Sequence, residues 1–418
     1  MPAGVVAMLA LAALLNYVDR GNLATAAPVL QDELALSSSQ IGLLLSAFFW
    51  AYAPSQLLAG WLVHRYDIRL VLGAGVLLWS AATTLTGLAN GFVTLLLLRL
   101  LLGLGESVTF PSWALILARH SAEGDRGRLN GLVSSGQGFG PMIGTLFGGL
   151  AIAHFGWRAM FVGIGVITCL WLVPWFRVSR GGVLKPTAQE HSRSVTYGEI
   201  LRQRAFWGSA LGQFFMNIGF YFVISWMPSF LVKAGGFTVS HMAMIGAAIY
   251  AIYAIATVIV GDVSDRWMRR GGSPTLVRKT FFVIAGLGTA VCTGACAFVV
   301  PHDAVWLLGV TAVFFGFSTP MIFAVSSTLA GPRASGRWTG AQNLSGQIAG
   351  IIAPFATGVL LDLTGTYAAA FAMAAITAVA ATVAWGVVIP KIAPVKWVDK
   401  VNEPAPDSNA LPATESVL

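Results

Sequence analysis

The stretch Phe281–Val300, FFVIAGLGTAVCTGACAFVV, is 20 residues long and carries no charge. About 20 consecutive apolar residues in a helix span the hydrocarbon core of a bilayer. A strand of a transmembrane barrel would need only ~10 residues and would alternate apolar with polar side chains, which this stretch does not do. Tyr367 to Ile389 is a second run of the same kind. Such runs recur through the 418-residue chain, which is 56% hydrophobic and only 10% charged, with a mean hydropathy of +0.75. A soluble domain carries about 25% charged residues, so a globule of this composition would have no polar skin. A soluble enzyme, a secreted disulfide scaffold and a disordered chain are all excluded. Cys169, Cys292 and Cys296 fall inside apolar runs and read as packing groups, giving neither a disulfide framework nor a metal site.

Working outward from this stretch, polar breaks divide the chain into twelve expected spans, approximately 4–29, 40–63, 70–89, 92–118, 127–153, 158–178, 206–232, 241–262, 279–300, 304–330, 336–361 and 366–390. The first is read as a retained span, since no cleavage site follows its apolar run. The fold class is therefore all-α integral membrane, with 12 transmembrane helices in two six-helix bundles. Residues 1–178 form the first bundle, 179–205 a linker, 206–390 the second bundle and 391–418 a tail expected to be disordered. Of the 25 basic residues, 21 fall in one set of alternate loops and only Arg158 and Lys233 in the other. Basic loops stay on the cytoplasmic side, so the linker and both termini are expected there. The net charge of +8 then reports topology and contact with anionic lipid rather than nucleic acid.

The two halves echo each other. Ser135-Gly136-Gln137 recurs as Ser345-Gly346-Gln347, and Gly60 to Arg65 is echoed by Gly261 to Arg266. Two bundles related by a pseudo-twofold axis leave such a trace and bind their ligand between them near the membrane midplane.

The two remaining basic residues, Arg20 and Arg99, lie inside spans, as do the acids Asp19 and Glu106. A charge at the centre of a spanning helix costs at least ~2.5 kcal/mol and is retained facing a partner or a cavity. Two cations and two anions make a neutral set. Arg99 and Glu106 share a helix face roughly 10 Å apart along the axis. A structural knot could be replaced by apolar residues at little cost. These charges sit instead beside Gly21, Gly103 and Gly105, which leave room for a ligand. An arginine fork matches a carboxylate, and a desolvated acid beside it suits a proton carrier.

Other polar groups fall at mid-span: Tyr17, Tyr52, Gln56, Gln137, Asn217, Tyr221, Gln342, Asn343, Ser345 and Gln347. Gln137 and Asn343 are read as ligand contacts, and any other single Ser or Gln as hydrogen-bonding glue between helices. Trp226 and Phe323 are assigned to the core. No HExxH, GxSxG or Walker sequence is present, so the chain is not expected to be an enzyme or to use ATP.

At this point the chain resembles the major facilitator superfamily and, within it, the anion:cation symporter family of sugar-acid and organic-anion carriers. The most specific match is Asn16-Tyr17-Val18-Asp19-Arg20-Gly21-Asn22-Leu23. Arg99 to Glu106 with Phe110-Pro111, Trp50-Ala51-Tyr52 with Gln56, Trp226-Met227-Pro228 and Asn343-Leu-Ser-Gly follow. The resemblance implies import of a small organic anion, a sugar acid or another hydroxylated carboxylate, by proton symport. Asp19 and Glu106 would titrate, Arg20 and Arg99 would steer the carboxylate, and Tyr17, Tyr52, Gln137 and Asn343 would line the site. The superfamily's gating sequence appears at Gly60 to Arg69 with His64 in place of an acid and Asp67 in place of a glycine. Arg65, with Asp262, Asp265 and Arg266 in the second half, would gate. No cofactor is implied beyond the proton, and the expected setting is a bacterial inner membrane, as a monomer. The alternatives are an anion exchanger or facilitator without proton movement and, from another class, a transporter-like sensor. Pro320 is expected to interrupt span 10.

Overall fold

A computed structural model describes residues 3–120, 126–180 and 195–397. The expected tail from residue 398 onward and most of the linker, 181–194, lie outside the described residues. The elements are α1 Ala3–Glu33, α2 Ser38–Arg65, α3 Ile68–Thr86, α4 Phe92–Glu106, α5 Thr109–His120, α6 Arg126–Leu170, α7 Leu172–Val178, α8 Tyr197–Leu201, α9 Arg204–Ser229, α10 Val239–Arg269, α11 Pro274–Cys296, α12 Ala304–Thr364 and α13 Ala368–Val383. Short π-helical turns at Phe230–Ala234 and Ala384–Val388 extend α9 and α13. Among the described residues there is no strand, as a bilayer requires of a chain that must satisfy its backbone groups within each span. Ten helices among these residues are long and apolar enough to cross a membrane.

Helix covers the body of every expected span, and two continuous helices each take up two of them. α6 bends at Gly156 (φ 79°) and α12 at Gly331 (φ 63°). These are the positions between expected spans 5 and 6 and between spans 10 and 11. Positive φ there costs glycine nothing, so the chain reverses within one or two residues. Pro320 does not interrupt its span, and α12 runs through it without a non-helical residue before Gly331.

The polar ends of the helices are closed by short-range caps. Ser37 and Gln40 form a capping box at α2. Asp67 caps α3 by accepting from the Arg69 amide at 2.9 Å, and it also pairs with the Arg69 side chain at 2.5 Å. Hydrogen bonds from Arg69 hold the Asp67 carboxyl below the usual carboxylate range. The acid in the altered loop motif is thus committed to its own helix start.

The first six expected spans and the last six meet tightly at one end of the molecule. Asp362 near the end of α12 accepts from the backbone amides of Ser38 at 3.0 Å and Ser39 at 2.8 Å. Lys233 pairs with Asp32 across the same end. The seam is close because it is lined by glycine: a Cβ at Gly358 would lie 2.3 Å from the Ser38 carbonyl oxygen. At the other end, among the described residues, no ion pair joins the halves; Arg266 pairs with Asp262 on its own helix at 2.5 Å.

Replacing Gly358 with leucine should force α2 and α12 apart. Overpacking of this kind costs about 1–3 kcal/mol, so the thermal midpoint of the purified protein in detergent should fall by several degrees. An unchanged midpoint would contradict the close seam.

Candidate functional site

Between the halves lies a cavity of about 220 Å³. Its first wall comes from α1, α2, α4, α5 and α6, and its second from α9, α10 and α12. All six residues read from the sequence as substrate contacts, Tyr17, Arg20, Tyr52, Arg99, Gln137 and Asn343, line it. Asp19 and Glu106 sit behind that wall at 2% and 0% exposure.

Arg20 organises the first wall. Its Nε donates to Glu106 Oε2 at 2.9 Å, a contact between residues 86 positions apart that ties α1 to the last turn of α4. Its guanidinium carbon lies 4.8, 5.0 and 4.5 Å from the ring centres of Tyr17, Phe48 and Tyr52. Aromatic faces attract a cation where water is scarce, so the three rings hold the guanidinium while part of it still faces the cavity. Phe48 stacks on Tyr52 at 5.0 Å and also lies 5.4 Å from Arg99. Arg99 donates to the Leu44 carbonyl at 3.3 Å.

The four charges therefore form one ion pair with two separate members, and not a closed quartet. Arg99 makes no ion pair within the described residues, because seven residues of helix hold it about 10 Å along the axis from Glu106. Asp19 accepts from Asn22 Nδ2 at 3.0 Å through one oxygen. Its Oδ2 and the Oε1 of Glu106 are buried without a hydrogen bond of full geometry, Thr83 being the polar side chain that approaches Asp19 and Asn16 the one that approaches Glu106. A buried acceptor without a full hydrogen bond is costly, and a proton on either oxygen would turn it into a donor.

The second wall is built differently. Tyr250, Tyr253, Phe220 and Phe315 line it, with the Tyr253 hydroxyl 3.0 Å from Thr319 Oγ1. Gln213 Nε2 donates to Asn343 Oδ1 at 3.2 Å. Gln213, Tyr250, Tyr253 and Thr319 were not singled out from the sequence, although Gln213 stands one helical turn before Asn217 and so shares its face. Phe323, assigned to the core, instead lines the cavity and is 47% exposed. Trp226 is buried, donating to the Pro354 carbonyl at 3.0 Å. Gln342 and Ser345 act as helix glue: Gln342 donates to Gln213 at 2.8 Å, and Ser345 Oγ donates to the Ala210 carbonyl at 2.9 Å. Gln56, Asn217, Tyr221 and Gln347 reach the cavity as well.

The four residues read as gating groups are not brought together. Arg65 is exposed at the end of α2, and Asp262, Asp265 and Arg266 are exposed on the last turns of α10. Asp262 and Arg266 are paired along one helix face.

Comparison with known proteins identifies the family and the fold. The family model described as Major Facilitator Superfamily matches residues 9–319 and 273–415. A hexuronate transporter of Bacillus subtilis (strain 168) is 31% identical over 394 residues, covering 91% of this chain and 93% of that protein. A probable chloroplastic anion transporter of rice, Oryza sativa subsp. japonica, is 30% identical over 392 residues, 90% of this chain; the chain spans 66% of its length. A bacterial homologue of the human lysosomal transporter Spinster, crystallised inward-facing and unoccupied, shares the fold with a TM-score of 0.71 at 21% identity, over 92% of this chain and 94% of that one. With apolar helices, a cavity between two helix sets and a family match along most of its length, the chain belongs to the Major Facilitator Superfamily, as a multi-pass membrane transporter and not an enzyme.

Proposed function

We propose that this transporter is a proton-coupled symporter that carries a small organic anion, a sugar acid or another hydroxylated carboxylate, into the cytoplasm by alternating access. The observation that carries this reading is the Arg20–Glu106 pair at the cavity wall, with Asp19 fully buried beside it and in no ion pair among the described residues. With Glu106 and Asp19 both ionised, the four intramembrane charges already sum to zero, and an entering carboxylate would bring an uncompensated negative charge into a water-poor cavity at a large desolvation cost. A proton on Glu106 removes its claim on the guanidinium and leaves the planar fork to the substrate. Protonation and anion binding then favour each other, which is the coupling a symporter needs. Asp19, on the same helix turn as Arg20, is the second acid placed to take a proton.

The distribution of basic residues supports a reading with the linker and both termini in the cytoplasm, and the bacterial relatives support a setting in the inner membrane. The sealed end, with Asp362 on the Ser38 and Ser39 amides, then faces outward. In this state the carrier is closed to the outside and poised for release inward. Arg65, Asp262, Asp265 and Arg266 lie at the inner end, where they would engage when that end closes. Two rocking bundles, residues 1–178 and 206–390, would supply the motion.

Proteoliposomes with an imposed inward pH gradient test the coupling. Glu106→Gln should abolish accumulation of substrate against its gradient while retaining exchange across the membrane. Accumulation that survives would establish transport without proton movement and sink the symport reading. Arg20→Lys should raise the apparent KM at least about tenfold, because an ammonium cannot reproduce the planar bidentate fork. Equal KM values in concentration-dependent uptake would remove Arg20 from the substrate site.

A further inference from the structure

The polar contacts of the second wall form a chain with a fixed direction. Trp338 Nε1 lies 3.2 Å from Gln342 Oε1, Gln342 Nε2 lies 2.8 Å from Gln213 Oε1, and Gln213 Nε2 lies 3.2 Å from Asn343 Oδ1. Amide oxygen and nitrogen look alike in shape, so a chain of amides by itself could run either way. An indole N–H can only donate. Trp338 is fully buried and its donor requires an oxygen opposite it, which sets the orientation of Gln342. That in turn sets Gln213, and Gln213 sets Asn343. Ser326 Oγ, 2.7 Å from the same Gln342 oxygen and also 2.7 Å from the Ile322 carbonyl, has a single proton and does not decide the direction. Gly346 makes room for the chain, since a Cβ there would lie 2.9 Å from Gln213 Nε2.

The last member, Asn343, lines the cavity with its carboxamide oxygen accepting from Gln213 and its NH₂ without a partner among the described residues. One helical turn further along α12, Gln347 lines the cavity, and its Oε1, buried just behind that surface, has no partner. A donor and an acceptor side by side match a hydroxyl, which both accepts and donates. They match a second carboxylate poorly, because a carboxylate only accepts and carries a charge. The cations that line the cavity, Arg20 and Arg99, both belong to the first wall. A second carboxylate at the other wall would be desolvated without a counterion.

Resting on the organic-anion reading above, we infer that the cavity selects monocarboxylates bearing a hydroxyl group over dicarboxylates, and that the buried Trp338–Gln342–Gln213 relay confers the hydroxyl selectivity by holding Asn343 as a donor. Trp338, Gln342 and Gln213 are positioning residues, since they reach the substrate through Asn343.

Calorimetric binding to the purified full-length protein at one pH tests this, with two matched sets of probes. The first is D-glucuronate, D-glucarate and hexanoate; the second is 4-hydroxybenzoate, terephthalate and benzoate. In whichever set binds, the hydroxylated monoacid should bind at least about tenfold tighter than the diacid and than the acid lacking a hydroxyl, the scale of one lost hydrogen bond to a buried group. Trp338→Phe keeps the ring and removes the N–H; Gln342→Met keeps the length and removes the amide. Each should erase most of the hydroxyl preference while leaving the affinity of the plain monoacid unchanged, a split that general loss of structure would not produce. A diacid that binds within twofold of its monoacid in the unaltered protein overturns the inference and leaves the transport reading standing. So does a hydroxyl preference retained in the variants. Failure of every probe to bind, together with no uptake of any organic anion, defeats both readings.

Discussion

The pairing of Arg20 with Glu106 is the contact on which the first wall of the cavity depends. An arginine inside a bilayer-spanning helix is tolerated when a counterion and polarisable faces replace water. Glu106 supplies the charge, and Tyr17, Phe48 and Tyr52 supply the faces. That requirement brings α1, α2 and α4 together around one point, and the close approaches follow from it. A Cβ at Gly103 would lie 2.3 Å from the Phe48 carbonyl oxygen, so α4 can reach α2 only with a glycine there.

The two walls solve the problem of buried polarity in different ways. The first concentrates charge and leaves two carboxylate oxygens, on Asp19 and Glu106, without hydrogen bonds of full geometry. The second carries neutral amides and hydroxyls whose hydrogen bonds are largely satisfied by each other, from Trp338 through Gln342 and Gln213 to Asn343. A network of this kind holds one orientation because every alternative leaves a buried donor or acceptor unmatched.

Much of the arrangement was legible before any coordinates. The spans, the two reversals later found at Gly156 and Gly331, and the isolation of Asp19, Arg20, Arg99 and Glu106 among apolar residues follow from hydropathy and the cost of charge in hydrocarbon. The six residues read as substrate contacts were also found on the cavity wall. Gln213, Tyr250, Tyr253 and Thr319 were not found, because one polar residue on an apolar helix looks the same whether it faces a neighbouring helix or a cavity. Phe323 was misplaced for the converse reason, since an aromatic side chain suits a packed core and a substrate wall equally well. Pro320 reads as a break in the sequence, yet the backbone of α12 stays helical through it.

By itself the sequence determined what each segment must do alone: which stretches cross a bilayer, where the chain can turn and which side chains are too polar to face lipid. Those are properties of a local stretch against a uniform solvent, and composition decides them. Tertiary structure decided partners. Only the reach of Arg20 from α1 to the last turn of α4 selects Glu106 rather than Asp19 as its counterion, and only the contact of α9 with α12 joins Gln213 to Gln342 and Asn343. The physical reason is reach. A hydrogen bond works over about 3 Å, and residues 86 or 130 positions apart come within it only after the helices have packed.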